Sequence, residues 1–90
     1  MNAAKFPLGQ IVSTPNALNS LTYDEILSGL LRHVTGDWGE MNAEDRQAND
    51  TALADGSRLL SVYHSSAGRK FWIITEANRS ATTVLLPEDH

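Results

Sequence analysis

The chain has 90 residues, 41% apolar and 20% charged, with seven basic against eleven acidic side chains, a net charge of −4 and no cysteine. That composition fits one globular domain and leaves no room for a second core. It excludes disulfide scaffolds, thiolate metal sites and thiol nucleophiles, and it argues against a protein that coats nucleic acid, because phosphate neutralisation needs a basic surface.

The apolar runs are a few residues long, far short of the roughly 20 that a membrane helix needs. The opening MNAAKFPLGQ carries one lysine and no apolar run of signal-peptide type, so no membrane contact and a cytoplasmic location are expected. A chain of this length buries only about 60–65% of its unfolded surface, and self-association into a homo-oligomer is one way to add burial. Charge is uneven. Residues 1–56 hold three basic and eight acidic groups (3 − 8 = −5), and residues 57–90 hold four and three (4 − 3 = +1).

Gln10 to Ser13 is a short apolar-centred run suited to an edge strand. Thr14 then caps a short helix with Pro15 at its first position, running to about Ser20. Thr22 and Glu25 form a capping box, with Leu21 and Ile26 as the hydrophobic staple. Tyr23, Ile26, Leu27, Leu30, Leu31 and Val34 follow at helical spacing and predict one apolar face. Gly29 weakens that helix and predicts close packing; Thr35-Gly36 ends it. Asn42 caps a third, mostly polar helix, Ala43 to Asp55, with Gly56 after it and contacts expected from Met41, Ala48, Ala52 and Leu53. From Arg58 the period changes. Arg58–His64, Lys70–Glu76 and Ala81–Leu86 are β-branched or aromatic runs separated by hairpin-like connections. The predicted class is α+β, with two or three short helices followed by a three- to four-stranded antiparallel meander. It is a single domain, 1–90, with its ordered core at about 8–87.

Arg79, Ser80, Thr82 and Thr83 bring a cation and three hydroxyls to the last hairpin. An arginine fork suits phosphate or carboxylate. Alternation puts Ser80 and Thr82 on one strand face and Thr83 on the other, so the four converge only if the strand is bulged or Arg79 reaches over the turn. The plainer reading pairs Arg79 with Glu76. His33 lies near a helix C-terminus, where the dipole favours it when protonated, and it is also a candidate general base. Gly36-Asp37-Trp38-Gly39-Glu40 places an indole between glycines, either to plug the gap between helix and sheet or to anchor a partner. His33, Asp37 and Glu40 match no defined metal motif, and no cofactor-binding or nucleotide-binding signature is present.

The strings LGQIVSTPNAL, RHVTGDWGE, DRQAN, RLLSVY and FWIITEANRSATTVLLP resemble a family of small proteins encoded on bacterial plasmids, phages and integrated elements, usually without an assigned function and sometimes labelled plasmid-related or restriction-associated. That likeness covers residues 6 to 87 and implies no settled activity. In layout, helices followed by a meander with Arg and Thr on the last hairpin are similar to the barnase, colicin and RelE group of ribonucleases. The similarity implies His33, Arg79 and Thr82 or Thr83 as a metal-independent catalytic set, and layout alone is analogy. The expected function is a small acidic cytoplasmic protein that binds another protein with a basic surface. Its contact would centre on Trp38 and the sheet edge, with Asp37, Glu40, Arg79, Ser80 and Thr82 as further binding residues.

Overall fold

A computed structural model describes residues 3–90 and places β1 (Gln10–Ser13), α1 (Pro15–Ser20), α2 (Tyr23–Val34), α3 (Ala43–Asp55), β2 (Leu59–His64), β3 (Lys70–Thr75) and β4 (Ala81–Leu85), followed by a 3-10 turn over Pro87–Asp89. The local start signals act as expected. The Thr14 hydroxyl accepts from the Ala17 N–H at 3.1 Å. Thr22 and Glu25 cap one another at 3.1 and 2.8 Å, and Asn42 accepts from the Asp45 N–H at 2.8 Å. Gly56 closes α3 at φ 79°, a left-handed conformation that costs glycine little.

The four strands form one sheet in the order β1-β4-β3-β2. β3 is antiparallel to both of its neighbours, but β1 runs parallel to β4, Gln10 opposite Ala81 and Ser13 opposite Val84. The class is α+β, and β2, β3 and β4 form the expected antiparallel meander; the fourth strand, β1, makes the sheet mixed, which corrects only its expected antiparallel pairing. A parallel neighbour requires a long crossover, and everything between β1 and β4 supplies it. No turn joins the two strands, so hairpin spacing carries no trace of their pairing.

Side chains that alternate inward meet the helices: Leu59, Ser61 and Tyr63 of β2, Phe71, Ile73 and Thr75 of β3, and Thr82 and Val84 of β4, all buried. α2 lies over β3. A Cβ on Gly29 would come within 3.0 Å of Ile73 Cδ1 and Phe71 Cε2, so the missing side chain sets the helix-to-sheet distance, as expected of a glycine there. Leu30, Leu21 and Ala17 complete this part of the core. A second cluster joins Phe6, Trp38, Ala52 and Leu59, with Met41 and Leu53 against it.

The wide apolar arc predicted for α2 is only half used. Leu30 is buried, whereas Tyr23, Leu27 and Leu31 are exposed, because the sheet covers the flank carrying Gly29 and His33 instead. On α3 the inward residues are Asn49 and Ala52, and Ala48 is exposed. Asn49 earns its burial at the edge of β2. Its amide donates to the Leu60 carbonyl at 2.7 Å and accepts from the Leu60 N–H at 3.2 Å. Two residues on, Val62 N–H donates to the Trp38 carbonyl at 3.0 Å, and its carbonyl accepts from Glu40 N–H at 2.8 Å. The β2 edge is thereby closed.

Candidate functional site

His33 stands in the last turn of α2, where the helix meets the centre of the sheet, and is fully buried. Its Nδ1 lies 2.5 Å from Ser61 Oγ and its Nε2 2.9 Å from Thr75 Oγ1. Thr75 Oγ1 is in turn 2.7 Å from Thr82 Oγ1, which donates to the Leu8 carbonyl at 2.7 Å. That carbonyl can only accept, and it fixes the direction of the whole chain. Thr82 donates to Leu8, Thr75 donates to Thr82, His33 donates from Nε2 to Thr75, and Ser61 donates to Nδ1. The imidazole is therefore the neutral Nε2–H tautomer, assigned from its partners. Burial, with the Arg79 charge as the smaller cause, lowers its pKa from 6.5 to about 4.

Arg79 has φ 60°, the left-handed region, at the β3–β4 turn. Its guanidinium donates to the carbonyls of Ser57 at 2.7 Å, Ala52 at 3.1 Å and Glu76 at 3.2 Å, and lies 5.7 Å from the centre of the Phe6 ring. It meets Glu76 through the backbone, not the carboxylate. The cation ties the last turn of α3 to the hairpin, and a positive charge at that helix end is favoured by the dipole. Arg79→Lys keeps the charge but loses the three-way fork, and is expected to cost about 1–2 kcal/mol in urea unfolding. Unchanged stability in the lysine variant would show that water serves those carbonyls equally well.

Trp38 is 4% exposed. It stacks on Phe6 at 6.3 Å, meets the His33 ring edge-on at 5.7 Å, and donates its N–H to Asp50 at 3.0 Å. The indole fills the gap between helix and sheet, which corrects its expected place at the centre of a contact. Its neighbours do reach the surface. Asp37 pairs with Arg32 at 2.7 Å, and that hydrogen bond holds its carboxyl below the usual range. Glu40 pairs with His64. His33, Asp37 and Glu40 thus point to three different partners. Among the described residues no group of three His, Asp or Glu side chains is placed to hold a metal ion.

Thr82 and Thr83 divide as alternation requires, but Ser80 does not share the face of Thr82, because β4 begins only at Ala81. Thr82 is buried in the polar chain, Thr83 is half-buried on the opposite sheet face, and Ser80 is exposed just before β4. Bringing His33 and Thr82 together therefore makes a core network, with no open reaction centre between them.

A surface cleft of about 260 Å³ lies between α2 and the β2–β3 hairpin, lined by Thr22, Glu25, Ser28, Arg32, Tyr63 and Ser66 among others. Glu25 accepts from Thr22 N–H and from both the N–H and hydroxyl of Ser66. These bonds, the one from Thr22 first, lower its pKa to about 2. Arg32 lies 4.5 Å over the Tyr63 ring and is paired with Asp37. The Arg32 cation is therefore matched within the chain, and the Glu25 carboxylate is held by neutral donors. Sequence reasoning gave Glu25 its capping role but not its second oxygen, because nothing local signals a contact with Ser66, 41 positions away.

No family model matches the chain, and no curated protein or solved structure matches it. No helix among the described residues is long and apolar enough to cross a membrane.

Proposed function

We propose that the protein acts by docking, as a small cytoplasmic binding protein of the kind carried by mobile genetic elements, with a basic surface on another protein as its target. One observation carries this reading: the ribonuclease-like set of His33, Arg79 and Thr82 is used up inside the fold, while the carboxylates stay outside. His33 and Thr82 are fully buried, and the Arg79 fork is committed to three backbone carbonyls. Glu44 and Asp45 stand exposed on the first turn of α3, beside exposed Asp37 and Glu40. The one cation of α3, Arg46, turns back to the Met41 and Gly39 carbonyls. The outer surface of this region is net negative, and complementarity with a basic partner speeds encounter and sets orientation. An enzyme that binds nucleic acid has the matching chemistry, since its phosphate-contacting surface is basic.

The test is capture of partners from host lysate on the immobilised protein, followed by association kinetics with the purified partner across ionic strength. Association should slow as salt rises, and Glu44→Lys combined with Asp45→Lys should slow it about tenfold at low salt. Binding indifferent to both salt and charge reversal overturns the electrostatic reading. Purified protein that cleaves RNA, and loses that ability in Arg79→Ala or His33→Ala, overturns docking altogether.

A further inference from the structure

Among the described residues, all six of the large apolar side chains left exposed lie between residues 11 and 31. They are Ile11 and Val12 on β1, Leu18 on α1, and Tyr23, Leu27 and Leu31 on α2. The α2 row faces away from β2. The opposite flank of that helix, with Glu25, Ser28 and Arg32, lines the cleft beside Tyr63 and Ser66, so Leu27 lies on the far flank, and Leu31, two residues from sheet-facing Gly29, points away from the sheet. β1 ends the sheet. Gln10 and Thr14 donate their N–H groups to Ser80 and Val84 at 3.0 Å each, so by alternation Ile11 and Ser13 turn theirs, with their carbonyls, to the unoccupied side. Unlike β2, this edge carries no charge, bulge or covering loop among the described residues.

The geometry points to a second copy of this chain as the occupant of that edge, with β1 paired antiparallel to its own counterpart across a twofold axis. Three features select a copy over another partner. First, the outward groups are self-complementary. Ile11 can face Ile11 or Ser13 of the other copy with donors opposite acceptors, and both registers keep paired side chains on one face. The two helix layers then share one side of a continuous sheet. Second, residues 6–23 contain no charged side chain. Two chains of net charge −4 can meet along β1 with no charge in the strand itself, and the Asp89 carboxylate beside its end is already bonded to Thr14 and Asn16. Third, Ile11 and Val12 stand 52% and 41% exposed on the two faces of the edge strand, apolar surface that a β1–β1 seam covers. This inference is independent of the acidic surface on α3.

Sedimentation equilibrium of the purified chain up to about 1 mM should give a mass approaching twice 9.8 kDa. Ile11→Lys places a charge in the seam. Ser13→Pro removes only an outward N–H, a position an edge strand tolerates. Each should weaken association at least about tenfold while leaving the circular dichroism spectrum unchanged. In the native chain at high concentration, the Ile11 and Ser13 amides should exchange slowly with solvent, and in Ile11→Lys the Ser13 amide should exchange freely. A monomer at every concentration overturns the proposal. So does a dimer that tolerates both variants, which assigns the contact to another face, and so does association that appears only with a foreign extended peptide.

Discussion

Lowering the pH from 7 to 4 is expected to remove about 3 kcal/mol of stability through His33 alone, the equivalent of moving its pKa from 6.5 to about 4. The sign follows from proton counting. Between those values the unfolded chain holds a proton that the folded chain does not, so stability is complete above 6.5 and falls as pH falls through the window. The physical cause is the closed chain of hydroxyls. Protonation puts a donor at Nδ1, where Ser61 already donates, and places a charge at a fully buried site. The lowered carboxyls of Glu25, Asp37 and Asp89 act in the same direction but titrate further into acid, so the upper part of the window belongs to histidine. Urea unfolding at a series of pH values should show the slope in the native chain and its loss in His33→Gln. His33→Ala should in addition lose about 3 kcal/mol at pH 7, from the cavity and from unpaired Ser61 and Thr75. A profile for His33→Gln parallel to the native one would refute the assignment.

Gly39→Ala should be at least as damaging, at about 3 kcal/mol or more. Gly39 sits at φ 80°, and an added Cβ would collide with the Val62 carbonyl oxygen and come within 2.7 Å of Tyr63 Cδ1. The carbonyl cannot retreat without breaking its bond from Glu40 N–H, and the ring is anchored by its hydroxyl on the Asp37 carbonyl. Gly68→Ala is the control. Its φ is 82°, but nothing lies within 4 Å of the new carbon, so only the backbone penalty of about 1–2 kcal/mol applies. Equal losses in the two variants, measured by thermal and urea unfolding, would show that conformation alone matters and that the close approach does not.

The helices were legible because their caps are local: Thr14, Thr22 with Glu25, and Asn42 each act within one turn of their own position. The hairpins were legible for the same reason. The parallel seating of β1 was not, since its partner lies 71 positions away in sequence. His33 was weighed by its helix end, while the decisive signal lay elsewhere. Ser61, Thr75 and Thr82 interrupt inward rows that are otherwise apolar, and a hydroxyl on each of three adjacent strands marks a buried polar partner. Arg79 was read for anions because a guanidinium suits them. The carbonyls it serves belong to Ala52 and Ser57, backbone groups no side-chain pattern announces. For Trp38 the two glycines beside it allowed both of its readings, and the space between Phe6 and α3 decided for the core.

The sealing of β2 by Asn49 and the Trp38–Glu40 segment has a bearing on stoichiometry. A ribbon of strands that can lengthen from one flank only stops after a single addition, because the newcomer presents its own sealed flank outward. Growth into fibrils needs two receptive borders per molecule, and here an asparagine amide and a short stretch of main chain have taken one of them out of play.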